Sequence, residues 1–482
     1  MLNFRVYLAT LLVACIASAQ TDLFDSIGSD STGGSPPPGI LAAFPVEINI
    51  IGLAQNPAVL RIQFPDFSMI TVHRKDFVPI DGFGGNGAPL PDSTPGDLTF
   101  QWRGSVDDGR YVGLAVYEGI LSGLIFGNGT SYTIGQQYDG EDHLIAVDLS
   151  VLPDDLLPEG AFSDSGTLSI EPPPKLELAL SSVHINPPKN GLSDVDDVRI
   201  LYLYTEQARL DAGDIIGTPG IDDRAIRAMI YGTMVDIAEV MENSEVDTTF
   251  SLAATALIQG FEPDGDPGFD LDVLRLNPAV QALRDSVEAD IVAVVIRNVT
   301  SPNVIVCGWS YVQRPGCADP NEPPIPGCNP GPSFAPWAIH FSAVDCLRSK
   351  LVGVHELGHN LGCEHDDVFA VPPEAAVYPF AFGYYYFSTI DEDTFNTVMA
   401  VFPGAAYKTP YISNPNVIHP IHNRPVGSET ANNARTILLT TPAVAGFRGA
   451  SSERIFFGDF ESGALSEWSE VIPGTNAVSL TY

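Results

Sequence analysis

The stretch His355-Glu356-Leu357-Gly358-His359-Asn360-Leu361-Gly362-Cys363-Glu364-His365 has the form HExxHxxGxxH. On a helix, residues i and i+4 share a face, so the imidazoles of His355 and His359 can reach one metal ion. Glu356 adjoins the first of them and can face a metal-bound water as general base. Gly362 lets the helix stop and the backbone turn sharply, through a positive φ where needed. That turn can bring His365 round as a third ligand. Three neutral imidazole nitrogens leave a tetrahedral zinc ion with one open position, the pattern of a catalytic site rather than a closed structural one. The expected metal is therefore Zn2+, its expected ligands His355, His359 and His365, and the expected catalytic residue Glu356.

With these residues the chain resembles the metzincin clan of zinc peptidases. Asp366, directly after the third histidine, is as in its adamalysin/reprolysin branch. Thr397-Val398-Met399-Ala400 resembles the clan's Met-turn, with Met399 below the metal. By itself Met399 would read as ordinary core. Thr409-Pro410-Tyr411-Ile412-Ser413-Asn414-Pro415 looks like the family's substrate-pocket segment. The resemblance covers roughly residues 196–449. It implies an α/β (α+β) fold with a mixed, mainly parallel sheet and a zinc-binding helix. It implies a zinc-dependent endopeptidase acting on protein or peptide substrates. It also leaves room for a structural calcium ion. The acidic run Asp264, Asp266, Asp270 and Asp272 has some look of a calcium loop. It lacks the spacing and terminal Glu of an EF-hand and reads first as a solvated acidic loop. Tyr407 and Tyr411 follow the Met-turn, but the reprolysin branch adds no tyrosine ligand, so neither is assigned.

Composition sets the class. A chain of 482 residues with 45% apolar residues can bury two or three domain cores. A net charge of −37, with 23 basic residues, argues against nucleic acid or an anionic membrane as partner. Residues 1–19 read as a signal peptide: Arg5, an apolar run from Val6 to Ile16, and Ala17-Ser18-Ala19 before Gln20. A secreted protein is expected. The alternative is a lipoprotein anchored at Cys15, because Leu12-Val13-Ala14-Cys15 resembles a lipobox. No later run is long and apolar enough to suggest a transmembrane helix. Of the six cysteines, Cys307, Cys317, Cys328, Cys346 and Cys363 lie in the second half. Cys317 with Cys328 and Cys307 with Cys346 is one possible disulfide map, leaving Cys363 over; spacing does not decide it.

Residues 20–40 read as a flexible lead-in, after which short strands with turn signals follow. They include Val46–Ile50, Leu60–Phe64, Tyr111–Val116 and Leu121–Phe126, the last leading into the turn pair Asn128-Gly129. No helix is expected there. This half, 20–190, resembles the β-rich propeptide of reprolysin-type peptidases; an unrelated β-sandwich is the alternative. Glu171-Pro172-Pro173-Pro174 and Asn186-Pro187-Pro188-Lys189-Asn190-Gly191 read as an extended linker. The peptidase domain, 196–449, is expected to run from strand Val198–Tyr204 into a helix near Asp222. That helix carries an apolar stripe of Ile226, Ile230, Met234, Ile237 and Met241. Strand Thr249–Leu257, helix Leu274–Val287, strand Ile291–Ile296 and the motif helix, about Leu351–Leu361, complete the order. A short tail, 450–482, ends the chain. The sequons at Asn128 and Asn298 matter only in a eukaryotic host.

The histidines outside the motif, His73, His143, His184, His340, His419 and His422, read as surface or edge residues. The substrate is expected to lie along an edge strand within Ala335–Ala343. The family's zymogens often block zinc with a propeptide cysteine. No cysteine lies between Cys15 and Cys307, so latency here would need another group or simple filling of the cleft. The rival reading is a catalytically silent metzincin-like binding or adhesion module. Loss of Glu356 would mark it, and Glu356 is present.

Overall fold

The computed structural model describes residues 20–31, 40–75, 96, 98–127, 129–136, 141–149, 177–178, 183–185, 197–214, 222–261, 263, 267–297, 299–301, 304–314, 331–368, 370, 372–373, 375–388, 394–402 and 408–448. The expected signal peptide, Cys15, Cys317, Cys328, Asp264, Asp266, Tyr407, both sequon asparagines, the two proline-rich linker runs and the tail lie outside these residues.

The first half builds a ten-stranded sheet. Its order is Gln20–Asp22, Val59–Gln63, Met69–Arg74, Phe100–Ser105, Tyr111–Tyr117, Ile120–Gly127, Thr130–Gln136, Asp142–Asp148, Ile40–Ile48 and Phe24–Ile27. Neighbours are antiparallel except the first pair. Gly127 pairs with Thr130 across Asn128-Gly129, so the expected hairpin forms. A second tight hairpin pairs Tyr117 with Ile120 through Glu118 and Gly119, both at positive φ. One short helix, Ile50–Ala54, occurs where none was expected. Asn49 starts it by accepting a hydrogen bond from the Gly52 N–H, which stops strand Ile40–Ile48 two residues short of the expected Ile50.

The second sheet carries the motif. Thr249–Gln259, Asp197–Thr205, Ile291–Ile296 and Ile339–Ala343 are parallel, and Gly308–Ser310 closes the order antiparallel. Glu177–Leu178 and His184–Ile185 pair with Thr249–Gln259, so these two pieces join this sheet although they precede residue 190. The expected helix Leu274–Val287 is two helices, Pro267–Leu276 and Pro278–Ser286. Asn277 precedes a proline, which disfavours a helical conformation there, and its side chain instead accepts from the N–H groups of Ala279 and Val280. Asp270 and Asp272 are helical rather than in an acidic loop; Asp270 is buried, and Asp272 pairs with Arg275 and accepts from the Tyr311 hydroxyl.

Helix Arg224–Asn243 joins the two sheets. Its predicted stripe is fully buried against the second sheet. Its other face is buried too, under strands Tyr111–Tyr117 and Ile120–Gly127. Those strands are apolar on both sides for that reason. Val112, Leu114 and Val116 face the first sheet's own core, while Tyr111, Ala115 and Tyr117 face the helix. Buried charges stitch this junction. The Arg348 guanidinium donates to both Asp236 oxygens at 2.7 and 2.9 Å, to Ser122 Oγ at 2.9 Å and to the Gly113 carbonyl at 3.1 Å. The Tyr111 hydroxyl donates to the same Asp236 at 2.7 Å. Lys75 and Arg103 pair with Glu239.

Removing one member of such a network leaves an uncompensated buried charge. Arg348→Met should lower unfolding free energy by about 3–5 kcal/mol, read by chemical denaturation. A loss below about 1 kcal/mol would mean that the junction contributes little to stability.

Candidate metal centre

Helix Val352–Asn360 is buried along its whole length and carries the first three functional side chains, with His355 and His359 on one face. It ends as the sequence anticipates, with Gly362 at φ +89° and the Gly362 N–H donating to the His359 carbonyl at 2.9 Å. The chain then doubles back and places His365 beside the other two. The Nε2 atoms of His355, His359 and His365 lie 3.1–3.2 Å from one another, all buried. Two of these imidazoles are locked from behind. His355 Nδ1 donates to the Val398 carbonyl at 2.8 Å and His359 Nδ1 to the Cys363 carbonyl at 2.7 Å. Those tautomers leave the Nε2 lone pairs free to bind a cation.

Three lone pairs at this spacing match the edge of a tetrahedron around an ion with zinc–nitrogen distances near 2.0–2.1 Å. Burial, then neighbouring positive groups, holds His355 well below the ordinary imidazole range; burial, then Arg314 and Lys408, pulls His365 down to about 3. Both are therefore neutral near pH 7, as ligands must be.

Glu356 is buried beside the edge strand Gly308–Ser310. The strand approaches so closely that a Cβ on Gly308 would collide with the Glu356 carboxylate. This strand, not Ala335–Ala343, is the sheet edge next to the helix. Within the expected segment, Gly331–Trp337 is a 3-10 helix and Ile339–Ala343 is an interior strand between Ile291–Ile296 and Gly308–Ser310. Cys307, one residue before the edge strand, is disulfide-bonded to Cys346, and Cys363 is free and buried.

Met399 is fully buried, its sulfur directly against Gly358, where no Cβ would fit. The Ala400 N–H donates to the Thr397 carbonyl at 3.0 Å, closing a tight turn beneath the histidines. Several residues that the sequence reading left without a role hold this arrangement. Asp366 accepts from the Val401 and Val368 N–H groups at 2.8 and 3.1 Å, tying the third histidine to the Met399 turn. Arg314 grips Glu364 with two bonds at 2.5 and 2.7 Å. Asn360 donates to Ser310 Oγ and the Tyr311 carbonyl at 2.8 and 2.9 Å, so the motif helix anchors the edge strand. The Asn360 side-chain oxygen is 2.9 Å from Nδ1 of His340. His340 is thus buried core, not surface, with its pKa down to about 4 through desolvation. His143 and His419 are buried as well, His419 packed among Phe395, Tyr411 and His422; His73 is exposed, as expected. Nothing in the sequence pattern distinguished these cases, because the packing comes from distant strands.

Comparison with known proteins agrees with this geometry. Residues 228–366 match the model of the metallo-peptidase family M12B, reprolysin-like. This part of the chain is a metzincin-type metallopeptidase domain, and the family implies a metal, typically zinc, which the histidine triad fits. A curated relative, the peptidyl-Asp metalloendopeptidase of Pseudomonas aeruginosa, is 28% identical over 287 residues, 57% of this chain and 43% of the relative. The chain thus spans less than half the length of that relative. A solved structure of metalloproteinase-II from Bacteroides fragilis is 10% identical with TM-score 0.34, over 66% of this chain and 86% of that one. One of a chaperone–substrate complex is 14% identical with TM-score 0.37, over 68% and 39%. At those scores neither likeness carries weight.

Cys363 serves the triad only through its backbone carbonyl, so Cys363→Ala should keep one zinc per chain at a stability cost of about 1 kcal/mol. Metal analysis of the purified variant checks this. Loss of the metal would mean that the thiol itself holds the site.

Proposed function

We propose that this protein is an exported zinc endopeptidase made as a zymogen. The observation that carries the reading is the convergence of three imidazole nitrogens at the helix that also carries Glu356. His355, His359 and His365 would hold the ion. Zinc, when bound, supplies Lewis-acid polarisation of the scissile carbonyl and acidifies water. The chain's own residues do the rest. Glu356 takes the proton from the attacking water and delivers it to the leaving amine. The edge strand Gly308–Ser310 offers backbone groups to an extended peptide and fixes its register. The Val398 carbonyl keeps His355 in place, and Met399 packs under the same helix at Gly358. The Pseudomonas relative is named for aspartyl peptides, and we extend to this chain a preference for an acidic residue beside the cleaved bond.

Glu356→Gln should bind zinc normally yet lose casein hydrolysis by roughly 1,000-fold or more. Wild-type turnover in that variant would remove Glu356 as base. Zinc-loaded wild-type protein that cleaves neither casein nor a peptide library would favour the rival, a silent binding module.

The N-terminal sheet is the proposed propeptide, with activation by cleavage in the proline-rich linker. N-terminal sequencing of active enzyme should begin between about Pro187 and Val198. Separation of the halves must break the bonds from Arg348 to Ser122 and Gly113, from Tyr111 to Asp236 and from Lys75 and Arg103 to Glu239, and peel Glu177–Leu178 and His184–Ile185 from the second sheet. The nicked halves should therefore co-elute on gel filtration at neutral pH. Full activity of the intact chain from Gln20 onward would recast the sheet as an accessory module.

A further inference from the structure

Helix Arg224–Asn243 ends at Ser244, which is fully buried. Its hydroxyl donates to the Val240 carbonyl at 2.6 Å, one turn back. A serine oxygen that donates still has lone pairs to offer. The Ile412 N–H takes one of them at 2.7 Å, from 168 residues along the chain. The Ser244 carbonyl accepts from the Asn414 side chain at 2.8 Å, and the Asn243 side chain donates to the Pro410 carbonyl at 3.3 Å. Three bonds from one helix end thus hold residues 410–414. Ile412 is itself fully buried. An N–H in that setting depends on its acceptor, because no bulk water replaces it.

The held segment leads back to the histidines through backbone groups. The Tyr411 carbonyl, which shares a peptide unit with the Ile412 N–H, accepts from the Val398 N–H at 2.8 Å. The Val398 carbonyl accepts from His355 Nδ1 at 2.8 Å. From the imidazole outward the order is His355, Val398, the Tyr411–Ile412 peptide, Ser244 and Val240, and every donated proton points away from the histidine. Hydrogen bonds aligned in one direction reinforce one another in a low-dielectric interior. A peptide bonded at one end can still tilt. The Tyr411–Ile412 peptide is bonded at both ends, by Val398 and by Ser244. Its orientation fixes Val398, and Val398 fixes the imidazole. Outer partners that orient a ligating histidine set part of the affinity for the metal.

We propose that Ser244 is a positioning residue of the metal centre, its hydroxyl holding His355 in its ligating orientation through Ile412, Tyr411 and Val398. The inference rests on the reading of the histidine triad as a zinc site. It adds a residue on another helix, far from the motif in sequence, that sets the affinity of that site.

The test measures the zinc dissociation constant of the full chain by competition with a chromophoric chelator, for wild type, Ser244→Ala, Ser244→Thr and Thr441→Val. Ser244→Ala removes the hydroxyl with little change of volume and should weaken zinc binding roughly 10-fold. Ser244→Thr keeps the hydroxyl and should bind zinc as wild type does. Thr441 is the control: its buried hydroxyl also donates to the carbonyl four residues back, at 2.7 Å, but within helix Asn433–Val444. Thr441→Val should leave zinc affinity unchanged. Wild-type affinity in Ser244→Ala overturns the proposal. So does an equal loss in Thr441→Val, which would assign the effect to general loosening, or a loss in Ser244→Thr as large as in Ser244→Ala, which would acquit the hydroxyl. If wild type binds no zinc, the reading of the triad fails and this inference with it.

Discussion

Three buried imidazole nitrogens 3.1–3.2 Å apart are an arrangement that must be imposed. Lone pairs at that distance repel, and burial removes the water that would screen them. The chain imposes it by locking the histidines from behind. The Val398 and Cys363 carbonyls take the Nδ1 protons, Gly362 at positive φ turns the backbone, and Asp366 pins the turn that follows. Most of the rest of the second half supports those few contacts. The motif helix rests on Met399 below and on the sheet behind, and Asn360 fastens it to the edge strand.

The same logic extends outward to helix Arg224–Asn243. A helix buried on both faces cannot be stable as a surface element of one domain, because one face would then be exposed apolar surface with buried-type charges. Here the second sheet covers one face and the first sheet the other. Arg348 sits four residues before the motif helix and is held by groups from both halves. The first sheet is therefore coupled, through Arg348 and Asp236, to the start of the helix that carries His355. This coupling gives the first half a part in the stability of the site whether or not it is later cleaved from it.

Local rules made much of this legible. The period of 3.6 in Ile226, Ile230, Met234, Ile237 and Met241, the apolar run Ile291–Ile296, the Asn128-Gly129 hairpin and the stop at Gly362 depend on near neighbours in the chain, and all four occur as read. Where the reading went astray, a distant or competing contact decided. Asn277 capping its own helix split one expected helix into two. Ile339–Ala343 became an interior strand because Gly308–Ser310 paired outside it, a pairing with no signature in either segment. His340, His143 and His419 went into cores that their flanking residues do not announce.

The sequence by itself determined the chemistry: which side chains can converge on one metal ion, which carboxylate stands beside them, and which turn brings the third histidine round. These follow from helical spacing and a single glycine, both short-range. Tertiary structure decided the surroundings. It chose the edge strand, the carbonyls that orient the imidazoles, and the docking of the first sheet on helix Arg224–Asn243. Those contacts join residues tens to hundreds of positions apart, and the free energy that selects them comes from burying whole faces together, which no local pattern records.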